Sequence, residues 1–211
     1  MAVASTAQAQ ACVGAPSFSA GAARLGANVV FGDHVKTYGG QLTLGTWNGF
    51  FVSGDYAHAK QDSTDGSSNA GGGSVGYEYK VSDNVMFCPM AAVHAQTGSV
   101  VGNTPSAPMN TVDWNLGGSL GWVAAQSGGM EVIPAVGAFF ASRSMKAIIA
   151  TQGQSNPTTT DGYGLFTGAI GFVFNKAWTL TPSVQVPVSQ DNGKTSFGIG
   201  LSYNFSPSKL W

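Results

Sequence analysis

The chain has 211 residues, the length of one all-β barrel or of two small domains. Only 9% of its residues are charged, far below the roughly 25% of ordinary soluble domains, while apolar content is ordinary and glycine is abundant at 30 residues. Nine basic against ten acidic side chains leave it near neutral, which argues against nucleic acid or another polyanion as partner, and no apolar run approaches the ~20 residues of a membrane-spanning helix.

The first residues, "AVASTAQAQA", resemble the small-residue end of a secretory signal peptide, with Ala7-Gln8-Ala9 as the cleavage pattern. Residues 1–18 are accordingly expected to be a leader remnant followed by a periplasmic segment carrying Cys12. From there, runs of strict alternation predict ten strands, near 20–31, 37–46, 49–59, 70–80, 84–97, 111–124, 129–143, 162–174, 178–189 and 195–205. In "TSFGIGLSYNF" the large apolar residues Phe197, Ile199, Leu201, Tyr203 and Phe205 share one parity, with Gly, Ser and Asn between them. Successive side chains of a strand point to opposite faces, so each run has one apolar and one small, polar face. "TVDWNLGGSLGWVA", "WTLTPSVQVPVS" and "GGGSVGYEYK" repeat the design. Strands 129–143 and 162–174 carry apolar residues on both parities, which leaves eight as the alternative count. Pro89, Pro134 and Pro182 on the apolar parity and Pro187 on the polar one are expected at bulges or strand ends, since a proline cannot donate to the ladder.

The connections alternate in length. "TWNG", "KVSDN", "AQSGG" and "NKAW" are tight, whereas "AKQDSTDGSSNA", "TGSVVGNTPSAPMN" and "RSMKAIIATQGQSNPTTTDG" are long and polar. One end of the sheet thus carries turns and the other loops, as in up-and-down barrels of outer membranes. The charges sharpen this reading. Within the ten runs, Arg24, Asp55, Glu78, Lys80, Asp113, Glu131 and Arg143 all fall on the polar parity and none on the apolar one. A soluble sandwich turns charge outward, whereas a membrane barrel turns an apolar band outward and encloses its polar groups. Trp47, Phe87, Trp122, Trp178, Tyr203 and Phe205 map to the turn end, where amphipathic rings settle at a membrane interface.

On these patterns the chain resembles the small outer-membrane β-barrel families of Gram-negative envelopes, the opacity-protein and OmpX-like group. The likeness covers residues 19–205 as a pattern, and its most specific element is the final strand ending in Tyr203-Asn204-Phe205, followed by the tail 206–211, "SPSKLW". The resemblance implies an integral outer-membrane protein, all-β, with a closed antiparallel up-and-down transmembrane barrel and periplasmic termini. Outer-membrane lipids and the barrel-assembly machinery are the implied partners, and an extracellular ligand or a neighbouring envelope subunit is the open one.

The candidate site is the interior, with Arg24, Asp55, Glu78, His94, Asp113, Glu131 and Arg143 as the lumen-lining set. Arg24 is expected at middle height, bridging to Asp55 or Glu78, because a buried charge needs a partner. Cys12 and Cys88 are expected to form a disulfide in an oxidising compartment, pinning the N-terminal segment to the barrel mouth. Catalysis needs a base within reach of a nucleophile or water. The three histidines offer His34 beside Asp33, His58, and His94 with Asp113 on the next strand, without a local motif to bind them. Gly71 to Gly73 precede no helix, so they cradle no phosphate and serve only the sheet. No metal site and no cofactor is implied. The expected role is a non-enzymatic surface-display or envelope-stabilising barrel, the alternative a narrow diffusion pore, and the third a lipid-modifying enzyme or protease.

Overall fold

The structure, a computed structural model, describes residues 22–46, 48–62, 65–101, 104–147, 158–188 and 194–205. The expectations for the leader-like segment 1–18, Cys12, Trp47 and the tail 206–211 lie outside the described residues.

Ten strands form the wall: β1 (Ala23–Phe31), β2 (Val35–Gly45), β3 (Phe50–Gln61), β4 (Ser67–Tyr77), β5 (Val85–Val101), β6 (Thr104–Trp122), β7 (Met130–Ala147), β8 (Thr158–Phe174), β9 (Trp178–Val188) and β10 (Ser196–Phe205). Each pairs antiparallel with the next in the chain, and β10 pairs with β1 from Phe197↔Phe31 to Phe205↔Ala23. The sheet therefore closes on itself, with ten strands rather than eight. Closure is what a chain in hydrocarbon requires, because no water there can satisfy an open edge. Two short ladders, Tyr79–Lys80 on β5 and Ala125–Ser127 on β7, extend the turns.

Side-chain parity follows the sequence. Leu25, Leu42, Val52, Val75, Leu116, Val136 and Ile199 point outward and are between 44% and 59% exposed, values that a soluble domain would not tolerate in so continuous a belt. Along β10, Phe197 and Phe205 bound ~27 Å of strand at ~3.4 Å per residue, comparable with the ~25 Å apolar band of transmembrane barrels.

The expected contrast in loop length is largely a contrast in strand length. Strands β5, β6, β7 and β8 have 17, 19, 18 and 17 residues, against the ~9–11 that a tilted strand needs to cross a bilayer. The remaining six have 9 to 12. "TGSVVGNTPSAPMN" is mostly ladder, paired up to Val101↔Thr104, and β7–β8 pairing continues to Lys146↔Thr158. Alternation fades there because both faces meet water. Above Val112 and Phe140 the outward residues include Asn110, Ser144, Lys146, Thr158 and Thr160, and the Ser144 and Thr160 hydroxyls lie 3.2 Å apart. The result is a four-stranded wall standing on one side of the rim.

The prolines occupy gaps in the ladder rather than bulges. Pro89 pairs with Gly118 of β6, while the ladder to β4 stops at Gly76↔Met90 and resumes at Tyr79↔Phe87. Pro134 pairs with Ile170, and the β6–β7 ladder stops one residue short of it at Gly121↔Ala135. Pro182 pairs with Ile199, opposite a break between Ala169 and Phe172 in the β8–β9 ladder. Pro187 pairs with Leu165 beyond the last β9–β10 pair, Gln185↔Ser196. Each proline thus keeps one neighbour and faces an interruption on the other side, as its missing donor demands. The register shift that does exist lies between Gly98 and Val100, where Gly98 takes φ 137.

Candidate functional site

The interior is organised by register. At one level, Gln41, Asp55, Gly72, His94, Asp113, Arg143 and Asp161 follow one another across β2 to β8, each the Cα partner of the next. Within this row the side chains pair selectively. His94 Nε2 lies 3.0 Å from Asp55 Oδ1, two strands away. It can reach because the residue between them is Gly72, where a Cβ would collide with the His94 ring and the Val93 carbonyl oxygen. Arg143 donates from Nε to Asp113 Oδ1 and from Nη2 to Asp113 Oδ2, both at 2.7 Å, the two-pronged geometry that guanidinium and carboxylate share. The same guanidinium carbon stands 5.8 Å from the centre of the Tyr163 ring.

These contacts sort the expected partners. Asp55 is engaged by His94 and not by Arg24, and Asp113 is engaged by Arg143 although His94 is its register partner. Arg24 also sits lower than expected: β1 begins at Ala23, so Arg24 is its second residue, near the turn end. There its Nε donates to Asn204 Oδ1 at 2.7 Å, across the closing β1–β10 ladder. Glu78, the other expected partner, is the carboxylate whose charge acts on it. Glu131 accepts from Gln126 Nε2 at 2.9 Å, at the turn between β6 and β7. Outside the membrane span, at the turn 81–84, Lys80 hydrogen-bonds the Asp83 carboxylate at 2.8 Å and holds it below the usual carboxylate range, first by that bond and then by charge.

Below the row, Phe51 and Cys88 pack together with Ala22 and Met90, and the Phe51 ring occupies the space a side chain at Gly76 would need. Cys88 is disulfide-bonded; Cys12, the other cysteine of the chain, lies outside the described residues. Near the opposite rim Val35, Ala59 and Val100 form a second buried cluster. Gln96 Nε2 ties it to the Val100 carbonyl at 2.7 Å and to Ser68 Oγ at 2.8 Å, while Gln61 Nε2 reaches the Ser99 carbonyl at 3.1 Å. Neither cluster was identified from sequence. The signal for the upper one was Val100 inside a run read as loop, and for the lower one the break in alternation at Phe50-Phe51.

Against β9, β10, β1 and β2 the interior is open. A cavity of about 360 Å³ follows β1 from Arg24 to Val30 and is lined by Asn28, Gln41, Thr181, Ser183, Gln185 and the glycines of β10. The turn-end aromatics face outward as a girdle: the rings of Trp178 and Tyr203 lie 4.8 Å apart, Tyr203 and Phe205 stack at 6.3 Å, and Phe87 and Trp122 belong to neighbouring strands at the same end. His58 also faces outward, with its Nδ1 2.9 Å from Asn69 Oδ1, away from the lumen groups. Among the described residues no three His, Cys, Asp or Glu side chains converge as metal ligands.

No protein-family model and no curated protein sequence matches the chain. Solved structures do. The chain is similar to the β domain of the Bordetella autotransporter Brka, at 13% identity and TM-score 0.58, over 87% of this chain and 98% of that one. It is similar to a bacterial polysaccharide outer-membrane secretin at 8% identity and TM-score 0.50, over 90% of this chain and 67% of that one. The N-terminal β-barrel domain of Pseudomonas aeruginosa OprF aligns with 89% of the chain and all of its own length at 13% identity and TM-score 0.40. At such identities the likeness is one of fold. The chain folds as a transmembrane barrel of the outer-membrane type, and its apolar outer belt is the surface of an integral membrane protein.

Proposed function

We propose that this is a non-enzymatic outer-membrane barrel whose lumen charges pair with one another for support and whose working surface is the β5–β8 wall above the membrane. The observation that carries the reading is the pairing of the lumen charges with one another. His94 is held by Asp55, and among the described residues no hydroxyl or thiol hydrogen-bonds it, so the pair lacks the nucleophile an acyl-transfer or hydrolytic site would need. Asp113 is held by Arg143, and apolar clusters pack at Phe51–Cys88 toward the turn end and at Val35–Ala59–Val100 near the opposite rim. The strand overshoot, meanwhile, offers a rigid, hydroxyl-rich surface outside. In this reading outer-membrane lipid covers the belt, and the Tyr203-Asn204-Phe205 end is what the barrel-assembly machinery would meet.

The second reading, a narrow diffusion pore, is favoured by the 360 Å³ cavity along β1. Conductance in planar bilayers separates the two. Folded, inserted protein is expected to give no stable steps, and reproducible unitary steps would replace the first reading by the second. Display is tested in intact cells with Ser144→Cys and Ser82→Cys variants and a membrane-impermeant maleimide: Ser144→Cys is expected to label and Ser82→Cys to be protected. The reverse pattern would place the wall inside and end the proposal.

A further inference from the structure

The charged row fills one side of the lumen, while the other side carries polar groups that no described residue hydrogen-bonds. Asn28 of β1, Gln41 of β2 and Gln185 of β9 have interior parity and line the same cavity, and none of their carboxamides takes part in a hydrogen bond with the described residues. All three are exposed to the cavity, whereas the half-buried Gln96 and Gln61 are bonded within the wall.

Glycines hold the space around them. Asn28 is the register partner of Gly39 and Gly200, and Gln41 of Gly26. At Gly39 a Cβ would strike the Asn28 carboxamide. At Gly26 and Gly200 it would make only ordinary contacts, at 3.4 Å and 3.8 Å, and both glycines line the cavity. Thr43, Thr181 and Ser202 add hydroxyls, and Phe51 and Met90 give the lower end an apolar surface.

The electrostatics restrict what could fill this space. Among the described residues Arg24 is the one charged side chain lining the cavity; it is bonded to Asn204 and lies under the influence of Glu78. Asp55 and Asp113 are committed to His94 and Arg143. The field along the cavity is therefore close to neutral. A carboxamide presents donors and an acceptor side by side, which matches adjacent hydroxyls on one carbon skeleton, and an aromatic and thioether floor suits the C–H face of the same skeleton. We propose that the cavity binds a small uncharged polyhydroxylated molecule, of monosaccharide size, held between Gln41 and Asn28 on one side and Gln185 on the other. Such a ligand replaces water hydrogen bonds by its own and leaves no charge uncompensated.

The test uses the full chain folded in detergent, titrated by calorimetry and by ligand-observed NMR with glucose, N-acetylglucosamine and glucuronate. Saturable binding of at least one neutral sugar is expected. Gln41→Leu combined with Gln185→Leu should weaken it tenfold or more while the heat-dependent electrophoretic mobility of the folded barrel is kept. Gly200→Val, which fills the cavity beside Asn28 and leaves Gln41 and Gln185 in place, should weaken it to a similar degree and serves if the double variant does not fold. The proposal is overturned by no saturable binding of either neutral sugar, by wild-type binding in the folded variants, or by glucuronate binding tenfold more tightly than the neutral sugars. The last outcome would assign recognition to Arg24.

Discussion

Replacing Asp113 by alanine removes both acceptors of the Arg143 fork and leaves a guanidinium, its side chain only 11% exposed, without its carboxylate. Breaking one half of a buried ion pair costs about 3–5 kcal/mol, because the remaining charge stays desolvated. Two features pull the expected value toward the lower limit. The Tyr163 face, 5.8 Å away, retains a contact worth about 0.5–1 kcal/mol, and Asp161, the next residue in the row, offers a second carboxylate. The expected loss for Asp113→Ala is therefore about 3 kcal/mol. Replacing both partners, Asp113→Leu with Arg143→Met, exchanges the pair for apolar volume and should cost no more than about 1 kcal/mol, since the desolvated charge has gone. Urea unfolding in lipid vesicles, followed by far-UV circular dichroism and by the mobility shift of the folded barrel, measures both. The reasoning fails if Asp113→Ala lies within about 1 kcal/mol of the parent, or if the double variant is as unstable as the single one.

Gly72→Val places a side chain where the His94 ring and the Val93 carbonyl now stand, and about 2–4 kcal/mol should be lost from overpacking together with the broken His94–Asp55 bond. The same unfolding assay should find Gly71→Val, on the outward parity of that strand, much milder; equal effects would remove the special role of Gly72. On the lipid face, Leu201→Arg puts a charge between the Phe197 and Phe205 levels and should cost about 2–4 kcal/mol, against a near-neutral Ser202→Asn on the lumen side. Similar values for those two would mean that parity in β10 has been assigned to the wrong faces.

The wall was legible because lipid imposes a period of two on every residue in contact with it. Phe197 to Phe205 and Val112 to Trp122 state their faces without reference to any neighbour, and all ten expected strands are present. Their outer ends were not legible, since Asn110, Ser144 and Thr160 lie in water on both faces and carry no alternation. The site was legible as a set and not as pairs. Parity alone turned Asp55, His94, Asp113 and Arg143 inward. Which acid each base takes depends on register between strands distant in sequence, and on the absence of a side chain at Gly72 in a triplet read as mere sheet glycine. Arg24 was misplaced in height because the described strand begins at Ala23, which makes Arg24 its second residue and sets it opposite Asn204.

Because the four long strands are consecutive, the rim is a crescent and not a crown. Strands β9, β10, β1 and β2 end within a few residues of the apolar belt, and they are also the strands along which the amide-lined cavity runs. Seen from outside, the barrel has a back and a front. On the front, lipid headgroups and the loops of a neighbouring protein can come level with the opening; on the back they meet a sheet several residues taller. Crowding in the plane of the membrane therefore gives the molecule a facing direction, and whatever approaches the lumen meets the shorter strands on the side where its polar groups are uncommitted.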